Sequence, residues 1–255
     1  MTELGLISLG AAAGFLGSIL GLGGGVVVVP GLTLLFELPL RQAVAASLVA
    51  IVATSAGSAA VYLRRGRVHL PLVLRLEVAA VAAAVGAGLV ADRVPEGLLY
   101  LAFAGVVLYA IRALFRGGPE GPGSAADPGQ VRNLGWGMLA SGGGGAASAL
   151  LGIGGGFIKV PIMHVLMGVP LPVVTSTSAL MVGMTAAASG WIYWTRGHLL
   201  LAVAAPVALG VLVGSRVGSR VSERIPDRLL RFVLAAVFAY VAVRMGWAGM
   251  SRVAG

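Results

Sequence analysis

The sequence predicts an all-α polytopic membrane protein made of two inverted repeats, each a glycine-broken re-entrant hairpin followed by three transmembrane helices. Three observations lead there. The 255 residues are 58% hydrophobic and 11% charged and include 40 glycines, which is more apolar sequence than a soluble domain buries. The run LGLGGG at positions 20–25 returns as LGIGGG at 151–156, and the offset of 131 residues then holds without a gap for about a hundred residues. Arginine is spread so unevenly that it selects one orientation of the second copy over the other.

At the 131-residue offset Pro30 meets Pro161, Pro39 meets Pro170, Ser47 meets Ser178, Thr54 meets Thr185, Tyr62 meets Tyr193 and Arg65-Gly66 meets Arg196-Gly197. Between Gly14 and Leu70, 19 of 57 aligned positions are identical. Most of these are Gly, Pro, Ser, Thr, Tyr or Arg rather than interchangeable aliphatics, so the match is not a by-product of apolar composition. Duplicated apolar units mark many secondary transporters, whose substrate sites lie where the repeats meet. The division is 1–116 for the first repeat, 117–131 for a linker and 132–255 for the second, together one transmembrane domain. The linker GGPEGPGSAADPGQ is too rich in Gly, Pro and small polar residues to form a core and reads as an exposed flexible loop.

Stretches of roughly 20 apolar residues give the spans: 42–63, 70–91 and 95–115 in the first repeat, 173–195, 199–221 and 228–247 in the second. Their abundant Gly and Ala favour close helix packing, because lipid supplies no hydrophobic drive between helices. Residues 1–10 lack the basic flank of a cleavable signal peptide, so the first apolar segment is expected to be retained. The openings of the repeats, 4–37 and 134–168, are too long for one span and too short for two. Each is cut by a triple glycine with a proline five residues later. Glycine costs a helix roughly 1 kcal/mol apiece, so the helix breaks there, and a break at membrane depth is tolerated only against protein or a wet cavity.

Either each opening crosses once through an unwound middle, or it dips in and returns. Single crossings leave both repeats pointing the same way and put Arg216, Arg220, Arg224, Arg228 and Arg231 outside, against the positive-inside rule. Hairpins invert the second copy, and those five join Arg64, Arg65, Arg67, Arg112, Arg116 and Arg132 inside, against Arg41, Arg93, Arg196, Arg244 and Arg252 outside. The hairpin arrangement is therefore preferred, with the N-terminus outside and Arg75 and Lys159 at or near membrane depth. The net charge of +9 is an orientation signal, with no soluble basic module that would engage nucleic acid.

Several chemistries are excluded. Without cysteine there is no disulfide and no thiolate site. No H-E-x-x-H run, no aspartate inside a span and no helically spaced Ser-Lys pair supports a membrane enzyme, and no cofactor or metal is expected. The GLGGG run lacks the strand and βαβ unit of a dinucleotide fingerprint, and no Walker A run is present.

The paired GLGGGVVVVP and GIGGGFIKVP, each opening one half of an apolar chain and each followed by an S-x6-T-x3-S helix, resemble the TauE/SafE family of sulfite and organosulfonate exporters over nearly the whole chain. The resemblance implies a carrier in the bacterial inner membrane for small sulfur-containing anions such as sulfite or sulfoacetate. It leaves open another small organic anion.

The motif suits an anion physically. In a hairpin the second half-helix begins at about Val26 and Phe157, so its unpaired N–H groups and positive dipole end point into the membrane. Such termini bind oxyanions without side-chain help, and Gly23, Gly24, Gly25, Gly154, Gly155 and Gly156 leave no Cβ in the way; the same glycines would also serve a tight turn alone. Lys159, the only lysine, lies three residues past Gly156, where its mate is Val28. A cation at that depth costs at least about 2.5 kcal/mol and requires the substrate anion, a carboxylate such as Glu37 or Glu77, or backbone carbonyls. Ser47, Thr54, Ser58 and Tyr62, repeated as Ser178, Thr185, Ser189 and Tyr193, share one helical face. They serve either an anion, through single hydrogen bonds, or the packing of neighbouring helices. His164, Glu37 and Glu77 are the candidates for proton coupling, with Glu77 close enough in sequence to Arg75 to be paired with it instead.

A secondary carrier and an anion channel would use the same dipoles, and only the channel keeps a continuous wet path. The topology makes a direct prediction. In the cysteine-free chain, single cysteines at the equivalent positions Gly66 and Gly197 should react with an impermeant thiol reagent from opposite faces of the membrane, Gly66 from the cytoplasm. Reaction of both from one face would restore the parallel arrangement.

Overall fold

A computed structural model describes residues 3–20, 23–64, 66, 68–115, 133–221 and 227–254. The predicted linker lies outside them, as do the arginines at 65, 67, 116, 132 and 224. Regular structure among the described residues is entirely helical. The first repeat contributes α1 (Glu3–Leu20), α2 (Gly25–Leu34), α3 (Leu40–Arg64), α4 (Leu70–Val90), a 3-10 turn (Ala91–Arg93) and α5 (Glu96–Phe115). The second contributes α6 (Leu134–Leu151), α7 (Gly156–Pro161), a π-helical turn (Ile162–Leu166), α8 (Leu171–Thr195), α9 (Leu201–Val221) and α10 (Asp227–Ala254).

Both helix breaks fall at the triple glycines. Gly23 and its mate Gly154 have φ of 82° in each case, and Gly24 and Gly155 have 73° and 69°. These left-handed values carry a steric cost for any residue with a Cβ, so the sequence runs of glycine and the breaks are one fact. After the break both chains restart in the same way: Val27 and Val28 donate to the Gly24 carbonyl, and Ile158 and Lys159 donate to that of Gly155. Beyond Pro161 the second copy widens into the π turn, where the Met167 N–H reaches back to Ile162, while α2 stays α-helical past the equivalent Pro30.

Equivalent packing recurs across the two repeats. A Cβ built on Gly14 of α1 would lie 2.3 Å from the Val211 carbonyl oxygen of α9, and one built on the mate Gly145 of α6 would lie 2.0 Å from that of Ala80 in α4. Each repeat thus lends its first helix to the fourth-element helix of the other, through glycine-to-backbone contact. Within a repeat, Gly24 faces Ala13, Gly17 faces Gly24, and Gly31 faces Leu9; in the second copy Gly155 faces Gly144, and Gly137 faces Met167.

Helices α3 and α8, mates of one another, cross at the centre. Ser55 meets Ala179 and Gly183, whereas Leu48 meets Gly190, so the pair runs antiparallel. The mates α5 and α10 do likewise: Gly97 lies by Val253, Leu101 by Gly249 and Ala104 by Gly246. Residues from α1, α2, α3, α5, α8, α9 and α10 share one continuous apolar core, and a second cluster joins α4 to the π turn and α8 through Leu72, Val73, Leu76, Met163, Met167, Val174 and Met181.

Four helical stretches among the described residues are long and apolar enough to cross a bilayer: Leu40–Arg64, Leu70–Arg93, Val173–Thr195 and Leu201–Gly218. Glu3–Ser18, Gly25–Leu34 and Gly156–Leu166 are shorter apolar helices, as the broken openings predict. The spans read at 95–115 and 228–247 form helices α5 and α10 at those places but fall outside the group of four.

Close approach of α4 and α6 sets a stability prediction. Gly145→Val places carbons against the Ala80 backbone, which cannot swing away, and should destabilise by about 1–3 kcal/mol or more. Gly143→Ala, on an exposed face with nothing within 4 Å, should be neutral or stabilising by up to about 1 kcal/mol. Ligand-free melting of both variants in one detergent compares them directly.

Candidate functional site

The two glycine turns meet in the middle of the protein. A Cβ on Gly25 would sit 2.2 Å from the Gly152 carbonyl oxygen, and the Ser47 hydroxyl donates to that same oxygen at 2.7 Å. Gly23 and Gly154 each lie against the same two side chains, Ile51 of α3 and Val182 of α8, which are themselves mates. Ser178, the mate of Ser47, is fully buried; the carbonyl equivalent to that of Gly152 belongs to Gly21, outside the described residues.

On one side of this contact there is a small, partly open cavity with room for about one water molecule, lined by Gly17, Ser18 and Gly23 around the first helix break, by Thr54, Ser55, Ser58 and Tyr62 along α3, and by Ala179 and Val182 of α8. Thr54 donates to the Ala50 carbonyl, Ser58 to that of Thr54, and Ser55 across to Ala179. A χ1 rotation would turn the Thr54 and Ser58 donors from their own helix toward the cavity. The positive end of the α2 dipole lies just beyond Gly23, so the cavity combines hydroxyl donors with a helix terminus favourable to an anion.

On the other side the equivalent space is filled. The mates of the cavity-lining residues, Ser148, Ala149, Gly154, Thr185, Ala186, Ser189, Tyr193, Leu48 and Ile51, are all buried. Here Lys159 projects from α7 to Glu77 of α4, with Nζ to Oε2 at 2.9 Å, and to the Thr185 hydroxyl of α8 at 2.8 Å. Thr185 also hydrogen-bonds Glu77 Oε1. Three helices are therefore pinned by one cluster whose ionic side chains are 0% and 2% exposed.

Of the residues singled out from sequence, Gly23, Thr54, Ser58 and Tyr62 line the cavity. Lys159 and Thr185 are together, but at the closed side and against a carboxylate. His164 lies in the π turn, half-buried, with Nδ1 3.0 Å from the Val169 carbonyl oxygen. Glu37 stands exposed in the turn after α2 with φ of 55°, away from both sides of the contact. Ser55 and Ser18 escaped sequence reading because their mates are Ala186 and Ala149, so duplication gave no signal.

A second charged cluster also escaped it. Asp92 pairs with Arg196 at 2.6 Å, with His198 at 2.9 Å and with Arg41 at 3.7 Å, while Arg41 and Arg196 cap the carbonyls that end α4. The signal was present in the sequence: at the 131-residue offset Asp92-Arg93 matches Glu223-Arg224, which lies outside the described residues.

Removing either member of the buried pair strands the other. Lys159→Met and Glu77→Gln should each lower stability by about 3–5 kcal/mol, and the double variant should recover most of the loss, because the equivalent positions Val28 and Ala208 pack without charge. A double-mutant cycle on ligand-free melting measures this; additive losses would show that the two side chains do not depend on each other.

Comparison with known families matches residues 6–245 to the sulfite exporter TauE/SafE family. Neither the curated proteins nor the solved structures include a match to this chain. With several apolar spans and a family match over nearly its whole length, the chain belongs to the TauE/SafE sulfite exporter family and is a multi-pass membrane transporter, not an enzyme.

Proposed function

We propose that this chain is a secondary carrier in the bacterial inner membrane that exports small sulfur-containing anions, sulfite or organosulfonates, from a cytoplasmic site in the cavity beside Gly23. The observation that carries this reading is the hydroxyl-lined cavity at the N-terminus of α2, set in a family of sulfite exporters. Thr54, Ser58 and the α2 N–H groups are the proposed donors.

The inverted arrangement rests on direction and on charge. Mates α3 and α8 run antiparallel, so the two-fold axis relating them lies across the helices, and for spanning helices that is the membrane plane. Two parallel repeats would put Arg41, at the start of α3, and Arg196, at the end of α8, on opposite faces, yet both bind Asp92. The contacts of Gly31 with Leu9 and of Gly137 with Met167 fit re-entrant hairpins, each returning along its first helix. In that topology the C-terminal half of α3, with the cavity, faces the cytoplasm, while the C-terminal half of α8 faces outward and is shut.

Purified protein should melt higher with sulfite or sulfoacetate; a ligand at a hundred times its Kd stabilises by about 2.7 kcal/mol. Thr54→Val combined with Ser58→Ala should weaken binding about tenfold, the scale of two hydrogen bonds lost. A shift with small carboxylates but not sulfur oxyanions would reassign the substrate, and no shift with any anion would sink the reading.

A further inference from the structure

We propose that Glu77 is the proton-binding coupling site of the carrier, and that Lys159 holds either the Glu77 carboxylate or the transported anion, never both. The proposal rests on the exporter reading above and adds to it where the driving ion acts.

Three observations converge. First, the ion pair is not needed for the architecture. The equivalent positions in the other half hold Val28, fully buried, and Ala208, and the same helix contacts form around them, Gly14 on Val211 matching Gly145 on Ala80. Second, the pair occupies a place where the halves are packed differently. Thr54 lines a small, partly open cavity, whereas its mate Thr185 is held by both Lys159 and Glu77. If the closed half is to open as its mate has, Lys159 and Glu77 must let go of Thr185. Third, nothing nearby replaces either partner. Among the described residues packed on α4, helix α6 carries no titratable side chain, α8 carries only Tyr193, and α7 carries only Lys159 itself; Arg75 is exposed, and His164 is engaged with Val169.

Separating the pair in a low-dielectric site leaves a carboxylate without a counter-charge, a state that proton uptake removes. The step balances simply: Glu77 takes one proton from water on the outward face and becomes a neutral acid, no covalent bond to Lys159 breaks, and the ammonium keeps its charge. That ammonium then faces Thr185 and Ser189, mates of the donors in the cytoplasmic cavity, and pairs with the anion. Once the anion has left, Glu77 gives its proton to the cytoplasmic side as the pair re-forms. One proton enters for each anion exported.

The test needs no substrate. In the cysteine-free chain, Ser189→Cys reports opening of the closed half by its rate of thiol labelling, normalised to a small free thiol at the same pH. Acidification should raise that rate at least about tenfold, the scale of a population shift worth one proton. With Glu77→Gln and Lys159→Met added, the rate should no longer depend on pH. A pH-independent rate with the native pair overturns the proposal, as does a pH dependence that survives in the doubly substituted protein. Should that protein not fold, infrared difference spectra of the native chain decide: acidification must produce the C=O band of a buried carboxylic acid, and its absence overturns the proposal. Sulfite enters none of these measurements, so a failed thermal shift with sulfur anions sinks the exporter reading separately.

Discussion

Two interruptions of the helical ladder, at the triple glycines, have to be buried against one another, and the rest of the structure follows from that constraint. Lipid offers no hydrogen bond to a stranded N–H or C=O. The protein answers by bringing the breaks together, so that Gly25 touches the Gly152 carbonyl and Ser47 donates to it. Left-handed φ at Gly23, Gly24, Gly154 and Gly155 turns the chain, and the missing Cβ atoms permit the approach. Antiparallel α3 and α8 supply the wall on which both turns rest, with Ile51 and Val182 at the crossing.

A symmetric solution to that constraint would place identical sites on the two sides of the crossing. Duplication kept the hydroxyl stripe in both copies but not its surroundings. Val28 and Ala208 leave one side neutral, while Lys159 and Glu77 fill the other with a charge pair. The two halves consequently adopt different states from nearly the same local sequence. If the repeats are inverted as proposed, such an asymmetric pair holds two packings of one unit, each a template for the other.

Most of the architecture was legible because bilayers and duplication both write in whole segments. Helix ends of α3, α4 and α8 fall within two or three residues of the apolar stretches, and both breaks occur at the glycines. The partner of Lys159 was legible only as one of two carboxylates, Glu37 or Glu77, and the structure selects Glu77. Glu77 lies 82 residues away on a different helix, and only the fold brings the two together. Nor could a hydroxyl stripe shared by two copies reveal which copy faces a cavity, since that depends on the state of the molecule. The 131-residue match is strongest where both halves keep the same chemistry, whereas the proposed function also uses positions where they differ: Ser55, Lys159 and Glu77.

The cluster around Asp92 joins the start of α3, the end of α4 and the end of α8. Its groups are partly exposed, the side chains of Arg41, Arg196 and Asp92 being 23%, 27% and 42% accessible, so water screens them and each ion pair contributes little. The carbonyl caps matter more. Arg41 binds the Asp92 and Val94 carbonyls just after α4, and Arg196 those of Gly88 and Leu89 in its last turn, so the end of α4 and the turn that follows are tied to α3 and to α8. The rim thus fixes direction and register at modest strength, and the buried pair beneath it carries the larger electrostatic penalty for separation. In the proposed cycle, separation of the deep pair rather than of the rim is therefore the costly step.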